Sequence, residues 1–244
     1  MSRYRIIEFA ELDSTNLHAL ANLRDLSDRD VIQAAVQTQG HGRLHRRWIS
    51  HVPGNLCVSL VLKPVSSSPA DLPLAGLSQL LAISVCRVLD ARATLKWPND
   101  VLLGGHKIAG LLAETVTEGE FVGLVLGLGV NLNLDAETLA TIDQPATSLS
   151  AWSGKPVDVT QFRDAVLMDF FSRYDEFLAT GFAMIRSEYL ARCPFIGSYV
   201  EIHRGEEIIC GRAHGITDDG ALEVITADGP LRVVDLGEMF QLSN

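Results

Sequence analysis

The chain has 244 residues, of which 20 are Lys or Arg and 30 are Asp or Glu, so its formal net charge at pH 7 is −10. This acidic balance argues against a general binder of nucleic-acid backbones, because such proteins usually carry a broad basic face. The apolar fraction of 47% is typical of a folded globular protein and argues against a disordered chain. The length suits one large domain, or one medium and one small domain.

The N-terminal two thirds of the chain carry the patterns of a mixed α+β fold. Apolar runs, alternating or continuous, predict strands at 6–9, 31–37, 56–63, 93–97, 108–116 and 121–132. A Leu- and Ala-rich segment predicts a buried helix from Asp71 to Asp90, and a short helix is predicted from Leu17 to Leu23. Since several strands follow one another with few helices between them, an α+β fold is favoured over a doubly wound sheet.

The last third of the chain contains a long helix pattern and then many short strand patterns. Aromatic and apolar residues at helical spacing predict an amphipathic helix from Asp158 to Thr180, with Asp158 as its N-cap and Gly181 at its end. A shorter helix is predicted to end before Pro194. Beyond it, strand patterns at 199–203, 207–211, 221–226 and 231–234 are separated by Asp-Gly turns. This pattern of short strands and turns predicts a small all-β module, in the form of a barrel.

The sequence shows no sign of membrane insertion or secretion. No apolar stretch approaches the roughly 18 residues that a membrane-spanning helix needs, and no secretory signal pattern begins the chain. We therefore expect a cytoplasmic protein that does not contact membranes. The four cysteines, Cys57, Cys86, Cys193 and Cys210, lie far apart and form no C-x-x-C pair. This spacing indicates neither a zinc site nor a disulfide framework, so we expect reduced, buried thiols.

A basic segment contrasts with the acidic composition. No acidic residue occurs between positions 30 and 71, whereas this stretch contains Arg43, Arg46 and Arg47. The three arginines belong to a loop over 40–48 whose glycines let the backbone approach a ligand closely. Arginine side chains can bind phosphate oxygens through two parallel hydrogen bonds. We interpret this loop as an anion-binding site.

Two other interpretations of the basic segment stay open. The loop could be a solvated basic turn, although its two glycines and its terminal tryptophan argue against that. The side chains of His41, His45 and His51 could instead bind zinc, but no cysteine or acidic residue accompanies them. The anion site is therefore the preferred interpretation.

Three further segments carry side chains suited to a polar ligand. From Lys96 to Asp100, a lysine, a tryptophan, an amide and a carboxylate are held at a bend, because Pro98 interrupts a regular strand or helix. This bend offers a cation, a stacking surface and a Mg²⁺ ligand, although it could also be a turn packed on the core. Lys107 begins an apolar strand, which alone is a weak signal. Ser14 to Asn16 precede a helix, and capping explains only one of these three polar residues.

Taken together and in this order, the segments resemble the biotin protein ligase family, the biotin–[acetyl-CoA-carboxylase] ligases. The resemblance covers nearly the whole chain and includes the terminal β module. Its motifs are Ser14-Thr15-Asn16, Gln37 to Trp48, Lys96 to Asp100, Lys107 to Gly110 and Gly127 to Asn131. The resemblance implies an α+β fold, in which a mixed β-sheet catalytic domain with packed helices spans residues 1–192 and a small SH3-like β-barrel spans residues 193–244.

The resemblance also implies a reaction and its participants. A ligase of this family joins the carboxylate of biotin to the α-phosphate of ATP, which yields biotinyl-5′-AMP and pyrophosphate. A lysine of a biotin carboxyl carrier protein, a subunit of acetyl-CoA carboxylase, then accepts the biotinyl group. The expected substrates are therefore ATP and biotin, with Mg²⁺ as cofactor, and the expected partner is the carrier protein.

Each motif receives a role from the resemblance. The expected catalytic residues are Lys107, Arg43 and Arg46, since cations must bring two anions together and neutralise the charge that grows on the phosphoryl oxygens. The expected biotin-binding residues are Ser14, Thr15, Asn16, Gln37, Gly40, His41, Gly42, Arg43, Lys107 and Gly110. The expected ATP-binding residues are Arg43, Arg46, Trp48, Lys96, Asn99 and Asn131, with Trp48 near the adenine. Asp100 is expected to bind Mg²⁺.

Two positions of the loop depart from the usual family pattern Gly-Arg-Gly-Arg-x-Gly-Arg-x-Trp. His41 stands where an arginine is common, and His45 stands where a glycine is common. The first change removes a fixed charge and a two-point hydrogen-bonding group, so we expect weaker retention of the adenylate. The second implies that the backbone at residue 45 has a negative φ, or else adopts an unfavourable left-handed conformation.

Two rival functions remain open. A lipoate or octanoate transferase has a related fold and a lysine at the position of Lys107, but is not expected to carry this arginine-rich loop beside the 96–100 bend. The second rival function is that of a biotin-sensing module without catalytic activity. The joint presence of Lys107, Arg43 and Asp100 argues against this function. Because the catalytic pattern begins by residue 14, we expect no N-terminal DNA-binding domain and no binding to DNA. An exposed sheet edge would allow a homodimer.

Overall fold

The computed structural model describes residues 4–64, 73–119, 121–227, 229–235 and 237–241. These residues form a seven-stranded mixed sheet packed with helices, followed by a five-stranded antiparallel sheet. The predicted α+β class is therefore confirmed. Residues 71 and 72, at the predicted start of the buried helix, and Asp228 of a predicted turn lie outside the described residues.

The large sheet contains the strands of the N-terminal two thirds of the chain. Their bounds are β1 Arg5–Leu12, β2 Asp30–Gln37, β3 Leu56–Leu62, β4 Ala93–Lys96, β5 Asp100–Leu103, β6 His106–Glu118 and β7 Phe121–Val130. Their spatial order is β1-β2-β3-β7-β6-β5-β4, with β1 parallel to β2 and the other neighbours antiparallel. Because β3 and β7 lie in the middle of this sheet, they are nearly continuous apolar runs.

Helices cover both faces of the large sheet. Their bounds are α1 Thr15–Ala21, α2 Leu77–Leu89, α3 Ala136–Ala140, α4 Leu149–Ser153, α5 Val159–Thr180 and α6 Arg186–Ala191. On one face, α2 and α5 pack against the main apolar core. On the other, Ala19 of α1 packs in a smaller cluster with Ile32, Val61 and Val125. Alternate residues of the central strands therefore face two separate cores.

The predicted helix from Asp158 to Thr180 is confirmed as α5, with both of its predicted ends. The Asp158 carboxylate accepts a hydrogen bond from the backbone N–H of Gln161 at 3.0 Å, and this caps the first turn. Gly181 ends the helix with φ +67°. Its aromatic stripe is buried, with Phe170 and Phe177 fully inaccessible to solvent. The 3.6-residue period of the sequence thus identified the face that packs on α2.

The C-terminal sheet contains five short strands. They are β8 Tyr199–Arg204, β9 Glu207–Ile216, β10 Leu222–Thr226, β11 Leu231–Val234 and β12 Glu238–Gln241. Their order is β11-β10-β9-β8-β12, and among the described residues β11 does not pair with β12. The predicted small β module is confirmed, but the sheet is not closed, so the word barrel describes it only loosely.

The C-terminal sheet packs directly on the part of the large sheet that carries the 96–100 bend. The Gly220 carbonyl accepts a hydrogen bond from Gln79 Nε2 at 2.8 Å and a second from Trp97 Nε1 at 3.4 Å. Gly220 has φ +82°, and a Cβ there would lie 2.2 Å from Gln79 Oε1, so this contact requires glycine. The two sheets share one continuous core. The C-terminal module therefore supports the bend from behind.

Several features differ from the sequence predictions. The short elements β5, β12, α3 and α4, each of four or five residues, were not predicted. The expectation of buried thiols is correct for Cys57, Cys86 and Cys193 and wrong for Cys210, which is exposed. Cys210 lies on the exposed face of β9, between the buried residues Ile209 and Gly211. Among the described residues, no helix combines the length and the apolar character required to cross a bilayer.

Candidate functional site

A cavity lies between the large sheet, the loop over 40–48 and the C-terminal sheet. Most of the predicted site residues line it: Ser14, Thr15, Asn16, Gln37, His41, Gly42, Arg43, Arg46, Trp48, Lys96, Asn99, Asp100, Lys107 and Gly110. Gly40 lines a smaller adjoining cavity. Asn131 lines neither cavity, because it is buried and its side-chain amide donates to the carbonyl of Thr147 at 3.2 Å. The fold thus brings together residues from motifs that are far apart in sequence.

The loop over 40–48 folds back on itself beside the cavity. The backbone N–H of Trp48 donates to the carbonyl of Gly40 at 2.9 Å, and that of Gly42 donates to the carbonyl of Arg46 at 2.8 Å. A Cβ at Gly40 would lie 2.9 Å from the carbonyl oxygen of Trp48, so a larger residue would disturb the base of the loop. These contacts hold the arginines of the loop at the mouth of the cavity.

One residue of this loop has a left-handed backbone. It is Leu44, with φ +54°, whereas His45 is not among the non-glycine residues with positive φ. The negative-φ alternative for His45 is therefore the correct one. His41 Nδ1 lies 3.2 Å from the carbonyl oxygen of Gln39, at the start of the loop.

Lys107 is the second residue of β6, and its side chain lies in the cavity. Its backbone N–H donates to the carbonyl of Pro145 at 2.8 Å, and its carbonyl accepts from the N–H of Thr147 at 2.9 Å. Its ammonium lies 2.8 Å from Asp100 Oδ1, and the two side chains are 17% and 14% exposed. A register shift in the β5–β6 ladder between Val101 and Leu102 accompanies this pairing. The lysine therefore occupies a sheltered position with an internal counter-ion.

The ring of Trp48 lies against two glycines of the large sheet. A Cβ at Gly129 would lie 2.5 Å from Trp48 Cε2, and a Cβ at Gly110 would lie 3.3 Å from Trp48 Cζ3. Lys107 Nζ lies 5.8 Å from the centre of the same ring. Trp48 Nε1 is buried and has no hydrogen-bond partner among the described residues. Gly129 is thus needed for the tryptophan to lie beside the lysine, whereas a Cβ at Gly110 would make only a tight contact. A stacked adenine near Trp48 stays a prediction.

Uncharged polar side chains form another part of the cavity wall. Gln37 Oε1 accepts hydrogen bonds from the backbone N–H of Thr15 at 2.8 Å and from Thr15 Oγ1 at 3.1 Å. Asn16 Nδ2 donates to Glu114 Oε2 at 2.7 Å. Ser59 Oγ lies 2.7 Å from Thr15 Oγ1 and 2.6 Å from Asn16 Oδ1. The amides of Gln37 and Asn16 are therefore held in fixed orientations.

The first residue of this polar group also starts a helix. Ser14 Oγ accepts from the backbone N–H of Leu17 at 3.5 Å, so Ser14 caps α1 while its hydroxyl proton stays available. Gln37 Nε2 donates one proton to Ser50 Oγ at 3.2 Å. This wall thus offers donors and acceptors without a net charge.

The arginines of the loop meet carboxylates from two other parts of the chain. Arg46 makes a two-point ion pair with Glu238, in which Arg46 Nη2 lies 2.7 Å from Glu238 Oε2. Burial lowers the pKa of the Arg43 guanidinium from its ordinary value, while Asp100 and Glu238 act in the opposite direction. The guanidinium stays charged at neutral pH, because arginine side chains are not deprotonated in proteins. The mouth of the cavity therefore combines cations with two carboxylates.

The 96–100 bend contributes two more polar side chains. Asn99 Nδ2 donates to the carbonyl of Leu111 at 2.7 Å, so the side-chain oxygen of Asn99 is the part free to accept from a ligand. Lys96 Nζ lies 5.6 Å from the ring centre of Phe240. The bend is thus connected to β6 by the hydrogen bond of the Asn99 side chain and to β12 by the cation–π contact of Lys96.

Several lining residues were not among the predicted site residues. Glu238 and Met239 come from the C-terminal sheet, and Gln144 comes from the loop before α4. No sequence signal could have identified them, because only the packing of the two sheets brings them to the cavity. Gly127 and Gly129 belong to the motif from Gly127 to Asn131, but they were given no role in the site. Their spacing of two residues on a predicted strand, which places both on one face, was the signal that could have identified them. A Cβ at Gly127 would lie 2.3 Å from Asn16 Oδ1.

The described side chains fit a nucleotide-bound Mg²⁺ better than a metal held by protein alone. Within the described ranges, no group of three or more His, Cys, Asp or Glu side chains could hold a metal ion. The side chain of His45, from the alternative zinc interpretation, is not among the described side chains. Mg²⁺ usually binds through one or two carboxylates together with substrate phosphates. Asp100 is one of two carboxylates that line this cavity, and Glu238, the other, is paired with Arg46, so Asp100 fits that kind of site.

Comparisons with known proteins assign the family. Residues 7–131 match the biotin/lipoate A/B protein ligase family, and residues 195–241 match the biotin protein ligase C-terminal domain. The biotin–[acetyl-CoA-carboxylase] ligase of Paracoccus denitrificans is 36% identical over 238 residues, which cover 95% of this chain and 98% of that protein. A ligase of the same name from Mycobacterium tuberculosis is 32% identical, over 96% of this chain and 87% of that protein.

The fold agrees with that assignment. The biotin protein ligase from Aquifex aeolicus, solved in complex with biotin and ATP, superposes with a TM-score of 0.79. It is 25% identical to this chain, and the match covers 98% of this chain and 99% of that one. The chain belongs to the biotin/lipoate A/B protein ligase family, and within it to the biotin protein ligases.

Proposed function

We propose that this protein is an ATP-dependent biotin protein ligase, which activates biotin as biotinyl-5′-AMP and transfers the biotinyl group to a lysine of a biotin carboxyl carrier protein. The observation that carries the proposal is that one cavity combines a wall of uncharged polar side chains with Lys107, Arg43 and Arg46. A ligand with a neutral polar ring at one end and a carboxylate at the other matches that combination. Biotin, with its ureido ring and its valerate carboxylate, is such a ligand.

The first step joins two anions, so it depends on the cations of the cavity. A carboxylate oxygen of biotin attacks the α-phosphorus of ATP, a new P–O bond forms, and the bond to pyrophosphate breaks. Lys107 would bind the biotin carboxylate and the bridging oxygen, and Arg43 and Arg46 would bind the phosphate. Preorganised cations stabilise the charge that grows on the phosphoryl oxygens without reorganisation of solvent. We assign the catalytic roles to these three residues.

The uncharged wall suits the ureido ring. A ureido group is neutral and presents two N–H donors and one carbonyl acceptor. Gln37 Nε2 and the hydroxyl of Ser14 can donate to that carbonyl, and the hydroxyl oxygen of Thr15 can accept from a ring N–H. The amide of Asn16 is already committed to Glu114 and to Ser59 Oγ, so we assign Asn16 to the shape of the wall. Gly40, His41, Gly42 and Gly110 would complete the biotin site.

The nucleotide would lie on the side of the cavity formed by the 96–100 bend. We assign ATP contacts to Lys96, Asn99 and Trp48, in addition to the two arginines. Asn131 is buried outside the cavity, and its proposed nucleotide contact is therefore an indirect one, through the segment around Thr147. Mg²⁺ bound with the nucleotide would neutralise phosphate charge, and Asp100 is the residue that would hold it.

The second step needs a protein amine at the mouth of the cavity. The neutral lysine nitrogen attacks the carbonyl carbon of biotinyl-5′-AMP, an amide bond forms, the bond from that carbon to the phosphate oxygen breaks, and AMP leaves. The names of the relatives support a subunit of acetyl-CoA carboxylase as the acceptor. We also propose that the reaction takes place in the cytoplasm, without contact to DNA, and that a free sheet edge supports a homodimer.

The division into domains is part of the same proposal. We assign residues 1–192 to a catalytic domain and residues 193–244 to a C-terminal domain that closes one side of the cavity. The Arg46–Glu238 ion pair and the contact of Gln79 with Gly220 support this role for the C-terminal domain.

The decisive experiment measures both steps with purified protein. We expect biotin-dependent release of pyrophosphate from ATP, followed by incorporation of biotin into an apo carrier domain. A reaction that requires octanoate or lipoate in place of biotin would favour the transferase alternative. Tight biotin binding without pyrophosphate release would favour the sensing module. Either result would contradict the proposed function.

A further inference from the structure

A chain of hydrogen bonds runs behind the uncharged wall of the cavity. It joins the side chains of Glu114, Asn16, Ser59 and Thr15 in that order. Glu114 of β6 and Ser59 of β3 do not line the cavity, whereas Thr15 and Asn16 line it and are each only 4% exposed. The chain therefore connects a carboxylate outside the cavity to the wall that is proposed to bind the ureido ring.

The side-chain amide of Asn16 has one favourable orientation. Its Nδ2 lies 2.7 Å from Glu114 Oε2 and 3.3 Å from the carbonyl oxygen of Leu112. Carboxylate and carbonyl oxygens accept hydrogen bonds and do not donate them, so the NH₂ group must face both. Asn16 Oδ1 is thereby directed to Ser59, and Gly127 leaves room for it, because a Cβ there would lie 2.3 Å from that oxygen.

This orientation decides where the proton of Ser59 lies. Ser59 Oγ is 2.6 Å from Asn16 Oδ1 and 2.7 Å from Thr15 Oγ1, but a hydroxyl group has only one proton. Asn16 Oδ1 has no proton of its own, so a hydrogen bond at this distance needs the proton of Ser59. The Asn16 amide thus draws the Ser59 proton away from Thr15.

The hydroxyl of Thr15 then presents an acceptor to the cavity. Its own proton has two oxygens of the protein within reach, Gln37 Oε1 at 3.1 Å and Ser59 Oγ at 2.7 Å. A reversed Asn16 amide would donate to Ser59, and the Ser59 proton would then turn to Thr15 Oγ1 and occupy its lone pair. The orientation of one amide therefore decides what Thr15 offers to a ligand.

The charge of Glu114 acts along the same chain. A hydrogen bond to a carboxylate is stronger than one between neutral groups, and hydrogen bonds in a chain polarise one another. Electron density moves from the carboxylate through the Asn16 amide to its oxygen, which then holds the Ser59 proton more firmly. As a result, the Thr15 oxygen is a better acceptor than an isolated hydroxyl.

We propose that Glu114 is a positioning residue of the biotin site, which fixes the Asn16 amide and so makes the Thr15 hydroxyl an acceptor for a ligand N–H group. This inference rests on the proposed function, since it concerns the wall assigned to the ureido ring. A ureido ring carries two N–H donors. The hydrocarbon chain of octanoate and the dithiolane ring of lipoate carry none, so they would leave a buried acceptor without a partner, which is costly. Glu114 thus contributes to the choice of biotin without contact to it.

The first test is Glu114→Gln in the complete chain. Glutamine keeps the shape of the side chain but removes its charge, and its own amide no longer holds Asn16 in one orientation. We expect the Kd for biotin, measured by calorimetry, and the KM for biotin in pyrophosphate exchange to rise about ten-fold. The kcat and the KM for ATP should change by less than about two-fold, because the interaction concerns biotin binding alone.

A matched control removes a carboxylate from the same face of the same strand. Glu118 lies four residues beyond Glu114 on β6, and its carboxylate pairs with Arg24 at the surface. Glu118→Gln should leave the Kd for biotin unchanged.

A double-mutant cycle with Thr15→Val tests whether Glu114 acts through the Thr15 hydroxyl. Valine keeps the branched shape and removes the acceptor, so Thr15→Val alone should also raise the Kd for biotin about ten-fold. Once the hydroxyl is absent, Glu114→Gln has nothing left to alter. The double variant should therefore bind biotin about as weakly as Thr15→Val alone.

Three results would overturn the role of Glu114. They are an unchanged Kd for biotin in Glu114→Gln, a loss in the double variant equal to the product of the two single losses, and a rise in the KM for ATP as large as that for biotin, which would indicate a general distortion of the cavity. If the unaltered chain released no pyrophosphate in the presence of biotin, the proposed function itself would fail, so the two failures are distinguishable.

Discussion

The ammonium of Lys107 lies 2.8 Å from the carboxylate of Asp100, with both side chains sheltered in the cavity. Removal of one partner from such a pair leaves the other charge without compensation, which is costly where solvent is scarce. Lys107 therefore has an internal counter-ion in the cavity. Because an ammonium carries three N–H donors, Lys107 keeps donors for the biotin carboxylate that is proposed to bind it. Lys107, which is proposed to bind biotin, and Asp100, which is proposed to bind Mg²⁺, thus already form an ion pair with each other.

Lys107→Ala is expected to slow biotin adenylation about 10²–10³-fold, the usual loss when one preorganised charge donor is removed. Biotin-dependent exchange of pyrophosphate into ATP measures this step without an acceptor. Lys155→Ala, at an exposed position on the loop after α4, is the control and should be unaffected. A near-normal exchange rate in Lys107→Ala would remove this lysine from the catalytic residues.

Arg43→Ala is expected to raise the KM for ATP and to let biotinyl-5′-AMP escape before transfer. The side chain is partly buried and lies close enough to Asp100 and Glu238 for their charges to affect its pKa. Its loss therefore leaves the mouth of the cavity more negative, which disfavours an anionic nucleotide. Initial rates against ATP concentration and quantification of free adenylate measure the two effects. An unchanged dependence on ATP would indicate that the loop binds something else.

His41→Arg is expected to slow the release of biotinyl-5′-AMP about ten-fold, because arginine adds a fixed charge and a two-point hydrogen-bonding group to the loop. To measure this rate, enzyme that carries preformed adenylate is diluted, and the adenylate still bound is determined by rapid filtration at intervals. His51→Arg places the same charge just beyond the loop and serves as the control. If the His41→Arg variant released the adenylate as fast as the parent does, histidine at position 41 would not be the cause of weaker retention.

Glu238→Gln is expected to loosen the loop over 40–48 without loss of overall stability. The ion pair with Arg46 joins the loop to β12, but the two side chains are 58% and 22% exposed, so water and salt screen the pair. We expect faster hydrogen exchange at residues 42–47 and a change in the free energy of unfolding of less than about 1 kcal/mol. Unaltered exchange in the loop would indicate that its own hydrogen bonds hold it in place.

The thiols are expected to differ strongly in their reactivity toward iodoacetamide. Burial raises the pKa of the Cys57 and Cys86 thiols to about 12 and raises that of Cys193 as well, so these groups stay protonated and covered near neutral pH. The thiolate is the nucleophile, hence all three should react only after unfolding. Cys210 is exposed and should be alkylated in the folded protein. Mass spectrometry of the alkylated peptides measures this, and rapid labelling of Cys86 in the folded protein would contradict the packing of α2.

The sequence by itself determined the local structure and the chemistry of the cavity. The spacing of apolar residues identified α5 and most strands, because burial repeats with the period of the element. The glycines and arginines of the loop, the bend at Pro98 and the position of Lys107 were readable as motifs, because each requires particular residue types close together in the chain. From the residues alone those motifs indicated an anion-binding site, and the resemblance of the motifs to a known family implied a ligase that joins biotin and ATP.

Only the tertiary structure decided which distant groups meet. The contact of Arg46 with Glu238 joins residues from different sheets, and the orientation of Asn16 depends on Glu114 across the cavity wall. Neither contact has a local signature, because each depends on how the sheets twist and pack. The exposure of Leu44 and of Cys210 likewise depends on which faces no other element covers. Sequence patterns report how each segment buries its own apolar side, whereas the long-range packing that shapes a cavity is a property of all segments at once.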